Sequence, residues 1–534
     1  MPSVKAALCV ALGVQAADAL RKSSGAGAGA KDCYSPYDGM ALMHLQPCTS
    51  AQAGEVLSQV ESLGCFVLDD DFEYEKKCSG TEVVCSKEAA STLEQGRVAS
   101  VVSPDAGAHY RNSSGVSMAF GGGLNAASTF YTTWRNLEAL EAQVAALVQA
   151  SGGLATLETV GQSLQGRDIK IVRFRGAGYT SGDTRLFATY NIHAREWISG
   201  MSAVYQVEHL IKKLQQEPDY LAKTEVVLMP MSNPDGFQYS TTNERMQRKN
   251  MRPGSCTGVD LNRNFDSSWG GSGSSGSVCS QTYRGASVES EPETNVIKQV
   301  MQEAPMTVYV DVHSYSQLIL TSYGYTTATH PRATEYRAIG GAIKSAIREA
   351  GGNTWTEGPT AQVLYSASGT TNDYADKLGA LGFCFELRPG GSGGGGFAPP
   401  ASDILPGAQE SYAGIIAAID FAKSYEPPAP TPAPAPGSWV VQGSGCVMDG
   451  ACVSSKNHPS NYGNNEQCNI ELYGDIPISV EAFSTERSYD ILTMGGASYS
   501  GTSGPPSGSY SGSISWGSDG SVVNSGWRLC RTDA

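Results

Sequence analysis

Leu186-Phe-Ala-Thr-Tyr190-Asn-Ile-His193-Ala-Arg195-Glu196-Trp197 is the stretch on which the fold turns. Its apolar first half reads as a buried strand. Just past it, His193 and Glu196 stand three residues apart, a spacing that sets an imidazole and a carboxylate on one side of a turn. These are two of the three protein ligands that an open catalytic zinc site needs. His313 offers the third, at the end of Thr307-Val-Tyr-Val-Asp-Val312, a second buried-looking strand. Strand ends in one parallel sheet converge at its carboxyl edge, where open α/β sheets place their sites. Spacing alone leaves an alternative open, because His-x-x-Glu arises by chance and a lone His193 reads equally well as a satisfied core or surface histidine.

Further blocks follow: Asn233-Pro-Asp-Gly-Phe237, Arg248-Lys249, Gly258-Val-Asp-Leu-Asn-Arg-Asn264, His313-Ser-Tyr-Ser-Gln-Leu318, Leu364-Tyr365 and Phe385-Glu-Leu-Arg388. In this order and spacing they resemble the zinc carboxypeptidases of the pancreatic A/B type, across residues 126–425. Several blocks in order are more specific than any one motif. The resemblance implies a mixed-sheet α/β/α catalytic domain and one Zn2+ held by His193, Glu196 and His313, with a fourth position for an activated water. It implies Glu386 as general base and Arg248 as oxyanion partner. Asp260 would fix the tautomer of a zinc histidine. Asn262 and Arg263 would clamp the substrate's terminal carboxylate, Tyr365 would close over it, and Arg195, Ser314 and Tyr315 would make secondary contacts. The base of the specificity pocket falls on Asn372, with Thr360, Ala367 and Cys384 on its wall. A neutral Asn372 predicts an uncharged C-terminal residue, aromatic, aliphatic or polar; an Asn372 turned away from the pocket is the alternative. The implied activity is exopeptidase cleavage of peptides and proteins. The competing class is an inactive scaffold of the same fold, acting through its C-terminal domain.

At 534 residues the chain is too long for one core. With a net charge of −15 and a pI near 5.0, it is not built for nucleic acid or anionic membrane surfaces. Lys5, a short apolar run to Gln15 and small residues at Ala16, Ala17 and Ala19 read as a secretory signal over 1–19, hence a secreted protein. An amphipathic helix is the alternative there, opposed by Gly13, Asp18 and the Gly/Ser-rich tail. No stretch reaches about 18 apolar residues, so no membrane span is expected.

The chain has 13 cysteines. The resemblance implies a Cys256–Cys279 bridge. Cys446, Cys452, Cys468 and Cys530 form an even set with three possible connectivities. Cys33, Cys48, Cys65, Cys78 and Cys85 are an odd set, two bridges and a leftover. Cys384 reads as a buried free thiol.

Residues 25–111 are expected to form an activation segment. Its pattern is a strand (Met40–Leu45), a helix (Ser50–Ser62, capped by Ser50), strands at Cys65–Leu68 and Glu82–Cys85, a helix (Ser86–Glu94) and a last strand (Val98–Val102). That βαββαβ order predicts a ferredoxin-like α+β unit and resembles procarboxypeptidase activation segments. Its ending is also similar to subtilisin-type propeptides, and an inhibitor module is a third reading. Gly/Ser-rich residues 103–125 read as an exposed connector, with Arg111 the clear target for an activating protease. Within 126–425, helices are expected at Leu137–Ala150 and Ser199–Leu214, and strands at Glu225–Pro230 and Thr307–Val312. Residues 426–437 are a stiff polyproline linker. Residues 438–534 have strand-like segments such as Ile478–Phe483 and Ser511–Trp516. They resemble CUB domains, which are β-sandwiches, through Pro459-Ser-Asn-Tyr462, Phe483-Ser-Thr-Glu486, Tyr489-Asp490, Ser518-Asp519 and Gly526-Trp527. Glu486, Asp490 and Asp519 match acidic residues that hold Ca2+ in many such domains; three solvated acids at loop ends are the alternative. The ligand of this domain is unknown from sequence.

Overall fold

The computed structural model describes residues 35–46, 50–67, 82–114, 116–117, 127–352, 355–390, 396–425, 437–443 and 445–533. The signal, Cys33, Cys48, Cys78 and residues 426–436 of the linker lie outside them. The chain divides into two units, Met1–Tyr425 and Glu426–Ala534.

The first unit opens with β1 (Ala41–Leu45), β2 (Phe66–Val67), β3 (Glu82–Cys85) and β4 (Ala99–Ser103) in an antiparallel sheet of order β2-β3-β1-β4. Helices Ser50–Ser62 and Lys87–Gln95 complete a βαββαβ series. Ser86 is not the first helical residue but the cap, its hydroxyl accepting from Ala89 N at 3.2 Å. Met43, Leu45, Leu57, Val60, Val83 and Leu93 form a small core of this sheet and its helices, and Cys65–Cys85 staples it.

The expected connector is not a simple loop. Residues Ala106–Ser114 form a helix, started by Asp105 Oδ1 accepting from Ala108 N at 2.8 Å. Ala106 and Tyr110, one turn apart, are buried in the largest core of the unit beside Tyr37, Met40 and Leu42. The side chain of Arg111 lies outside the described residues. After β5 (Val116–Ser117), which pairs in parallel with β6 (Trp134–Arg135), the large sheet begins.

That sheet contains β7 (Thr156–Gln162), β8 (Asp168–Arg175), β9 (Thr184–Tyr190), β10 (Thr224–Met229), β11 (Val308–Ser316), β12 (Leu318–Thr321), β13 (Thr356–Pro359) and β14 (Leu381–Gly390), in the order β13-β12-β14-β11-β9-β10-β8-β7. The run β14-β11-β9-β10 is parallel, while β12, β8 and β7 join antiparallel. Its central strands β9, β10, β11 and β14 are buried on both faces, as their apolar runs require, while the edge strands β7 and β13 are partly exposed. Leu186, Ala188, Val308, Val310 and Val312 face helices Trp197–Gln216 and Ile404–Ser424; the alternate residues Phe187 and Tyr309 face Pro292–Gln302 and Thr371–Lys377. This α/β/α arrangement covers the sheet with helices on both sides. β11 is longer than its apolar run: pairing with β14 carries it past Val312 through His313 to Ser316. The helix expected over Ser199–Leu214 likewise starts earlier, at Trp197.

The second unit is one antiparallel sheet, β15 (Ser438–Gln442), β16 (Cys446–Asp449), β17 (Cys452–Ser455), β18 (Gln467–Ser484), β19 (Ile491–Met494), β20 (Ala497–Tyr499), β21 (Gly508–Gly517) and β22 (Gly526–Arg531). The four cysteines resolve to Cys446–Cys468 and Cys452–Cys530, the latter facing each other across β17 and β22. Trp439, Tyr462, Ile470, Trp516 and Trp527 lead its core.

Candidate metal centre and active site

Three parallel strands bring the site together. β9 delivers the chain to Asn191, whose φ of 54° turns it sharply and sends His193 back over the sheet edge. Glu196 stands at the N-terminal boundary of the Trp197–Gln216 helix, its carboxylate making no cap bond and turned to His193 and His313 instead. On the next two strands His313 and Glu386 are register partners, side by side across β11 and β14.

His193 Nδ1 lies 2.8 Å from Glu196 Oε1, His313 Nδ1 lies 3.0 Å from Glu196 Oε2, and the two Nδ1 atoms are 3.0 Å apart. One atom from each residue falls within 4.8 Å of the others, and all three side chains are buried. Two imidazole nitrogens and a carboxylate oxygen converging on one point is a geometry that suits a cation with N/O ligands. The far nitrogen of each ring is held by a carboxylate: His193 Nε2 by Asp260 Oδ1 at 3.1 Å, His313 Nε2 by Asp311 Oδ2 at 2.9 Å. Such bonds fix the tautomer, leaving Nδ1 for the metal. The residues present therefore fit a zinc ion. Burial alone would push the Glu196 carboxyl up, but the two imidazoles outweigh it and hold it well below the usual carboxylate range.

Asp260 is shared. Its Oδ2 also accepts from Arg248 Nη2 at 2.9 Å and Nε at 3.1 Å. Against the cost of full burial, Arg248 and His193 keep it ionised far down in pH. One carboxylate thus sets both an imidazole and a guanidinium. Asn262 lies alongside, its Oδ1 accepting from Thr371 N at 2.9 Å. Arg263 donates from Nε to Gly273 O at 2.7 Å, and its guanidinium lies 5.9 Å from the Tyr365 ring.

His193, Glu196, His313, Arg248, Asn262 and Arg263 line a single cleft, together with Arg195, Ser314, Tyr315, Asn372 and Glu386. Ser314 Oγ is buried and makes no hydrogen bond among the described residues, and neither does Asn372 Nδ2. Cys384, a free thiol, lies in the same cleft with Sγ 3.9 Å from Glu386 Oε1. Burial, then Glu386, pushes that thiol's pKa up, which keeps it protonated. Cys256–Cys279 closes the loop beside Lys249, whose Nζ donates to Val278 O and Ser280 O. Two residues of the site have no place in the sequence reading. Asp311 shares a strand face with His313, and the two-residue spacing was the available signal. Phe397 lies beyond a glycine run; its ring stacks 3.7 Å under the Arg195 guanidinium and 5.0 Å from the Tyr315 ring.

In the second unit, Glu486, Asp490 and Asp519 also gather within 4.8 Å. Asp490 is buried and accepts from Tyr462 OH and Asp519 N.

Comparison with known proteins places this geometry. A family profile described as zinc carboxypeptidase matches residues 140–414. A metallocarboxypeptidase A-like protein of Trichophyton verrucosum is 36% identical over 268 residues, covering 48% of this chain and 63% of that protein, so the chain spans just under two thirds of this relative's length. Carboxypeptidase A4 of Mus musculus is 32% identical over 305 residues, 55% of this chain and 71% of that protein. Among solved structures, carboxypeptidase A from Helicoverpa armigera superposes with a TM-score of 0.62 at 26% identity, covering 73% of this chain and 98% of that one.

Proposed function

This chain belongs to the zinc carboxypeptidase family, and we propose that it is an active, secreted exopeptidase, made as a zymogen, that removes uncharged C-terminal residues from peptides. The observation that carries the reading is the convergence of His193, Glu196 and His313 one strand away from Glu386. A scaffold that had lost activity would be free to lose a ligand or the base, and this chain keeps them all.

His193, Glu196 and His313 would hold the zinc ion, and the chemistry it would supply when bound is that of a Lewis acid beside the scissile carbonyl and the attacking water. Glu386, at the cleft wall, takes the proton from the attacking water and passes it to the leaving amine. Arg248, oriented by Asp260, faces the developing oxyanion. Arg263 and Asn262 bind the terminal carboxylate, and Tyr365 closes over it. Arg195, Ser314 and Tyr315 hold the preceding residues, with Phe397 as the platform beneath Arg195. The last side chain enters past Thr360 and Ala367 towards Asn372, where no negative charge offsets the burial of a lysine or arginine.

Latency is supported by the shared core. Tyr37, Met40, Leu42, Val84, Ala106 and Tyr110 pack in the same cluster as catalytic-domain residues, so the N-terminal segment is docked on the enzyme. The carboxylate of Glu82 reaches the Gly396 turn next to Tyr315 and Phe397. Cleavage near Arg111 needs local opening of the Ala106–Ser114 helix. Secretion is supported by the four disulfides among the described residues, and none of their helices is long and apolar enough to cross a membrane. The second unit is read as a CUB-like β-sandwich that holds Ca2+ at Glu486, Asp490 and Asp519 and carries the binding site for a partner.

The test is a pair of peptides differing only in a free or amidated C-terminus, given to protease-treated wild type and Arg263→Ala. Wild type is expected to cleave the free peptide alone, and Arg263→Ala to lose about 100-fold on it. Cleavage of both peptides at equal rates would replace this reading with an endopeptidase.

A further inference from the structure

We propose that Asp373 is a positioning residue for the specificity pocket: its carboxylate holds the Tyr323–Gly324 turn, and the turn holds the wall against which the substrate's last side chain packs. The inference rests on the exopeptidase reading above.

Tyr323 has a φ of 74°, a conformation that a bulky residue rarely adopts without being held there. What holds it is Asp373. Tyr323 N donates to Oδ1 at 2.9 Å, and Gly324 N donates to Oδ1 at 3.2 Å and Oδ2 at 3.1 Å. The turn then passes its position on. Gly324 O accepts from Ala367 N at 2.7 Å, and Tyr323 O accepts from Ala361 N at 3.4 Å. Ala367 and Thr360, the neighbour of Ala361, line the cleft. Nor is there slack between the layers: a Cβ on Gly324 would stand 2.8 Å from Ala367 O and 3.0 Å from Asp373 Oδ2. The same aspartate directly follows Asn372, whose O accepts from Ser322 Oγ at 3.0 Å. Asp373 therefore ties both sides of the pocket, base and wall, to one carboxylate.

That carboxylate is buried, and no salt bridge reaches it among the described residues. Its charge is met by the Tyr323 and Gly324 N–H dipoles, with a smaller contribution from the Thr370 side chain. Burial pushes its pKa up to about 6, against the opposing effect of the Gly324 and Tyr323 amides. The titratable groups facing it are Asp376 on its own helix and Tyr323 and Tyr325 on the turn; Asp376 is itself engaged by His330, Tyr336 and Arg332. Protonation removes the negative charge that both amides point at, and with it most of the clamp.

A merely structural acid in the first turn of a helix would change stability and leave substrate ranking alone. A positioning residue changes ranking. The experiment uses the protease-treated enzyme and two peptides that end in Phe or Ala and are otherwise identical. The ratio of their kcat/KM cancels every group that acts on hydrolysis itself. For Asp373→Asn and Asp373→Ala, that ratio is expected to fall about tenfold, through a raised KM for the Phe peptide. The kcat on the Ala peptide should stay within about twofold of wild type. The ratio for wild type should also fall as pH is lowered from about 8 to about 5. If the variants fail to fold, this wild-type series decides alone. A ratio unmoved in folded variants, or flat across the wild-type series, overturns the inference. Absence of any C-terminal release by wild type overturns the exopeptidase reading instead, and this one with it.

Discussion

The two clusters of metal-binding residue types among the described residues are built differently. His193, Glu196 and His313 are buried, and each imidazole is braced from behind by a carboxylate, Asp260 or Asp311. Glu486, Asp490 and Asp519 offer only oxygens, and only Asp490 is buried. In the first cluster the positions of the ligands are set before any ion arrives, by strands β9 and β11 and by those bracing bonds. In the second, Glu486 and Asp519 are partly open to water, and the mutual repulsion of three carboxylates has to be overcome by the ion itself; that repulsion adds to desolvation in raising the pKa of Glu486. Rigid N/O sites suit zinc, whereas flexible all-oxygen sites suit calcium at modest affinity. Preorganisation, rather than the number of ligands, is what separates the two clusters.

The comparison is sharpest at the group that belongs to the first cluster's chemistry but not to its metal. Glu386→Gln is expected to lower kcat by about 100- to 10,000-fold while metal content, measured on the same preparation, stays at one zinc per chain. Loss of metal with loss of activity would mean that Glu386 is a ligand and that the division of labour is wrong.

A smaller effect tests the bracing itself. Asp311→Ala should weaken zinc retention about 10- to 100-fold in competition with a chelator, because His313 loses the bond that fixes its tautomer. Unchanged retention would make Asp311 a bystander. The smallest effect belongs to the open cluster. Calcium at about 100 times its dissociation constant should stabilise the second unit by about 2.7 kcal/mol, and Asp490→Asn should remove the gain. A melting transition indifferent to calcium in the wild-type protein would leave Glu486 and Asp519 as solvated acids and Asp490 as a buried partner of Tyr462.

The readability of these features from sequence follows the same division. His193, Glu196, His313 and Glu386 stand in short blocks at strand ends, because metal binding and acid–base chemistry restrict which residue types can serve there. The large sheet was legible for a related reason: its central strands are apolar on both faces, so Leu186–Ala188 and Val308–Val312 cannot be anything exposed. The helix at Ala106–Ser114 was not legible. Among the described side chains its apolar burial rests on Ala106 and Tyr110, set among glycines and serines, and composition outweighed a single i, i+4 pair. Asp311 was hidden inside an apolar run, where its role depends on a partner two residues away and on the strand period. Phe397 had no local signal, since only the fold carries it from beyond the glycine run to Arg195.

Zinc at His193, Glu196 and His313 is the most direct requirement of the proposed activity. Purified, protease-treated enzyme should contain one zinc per chain, lose release of C-terminal residues when the zinc is stripped by a chelator, and regain it when zinc is returned. Hydrolysis that persists at the same rate after complete removal of the metal would contradict it.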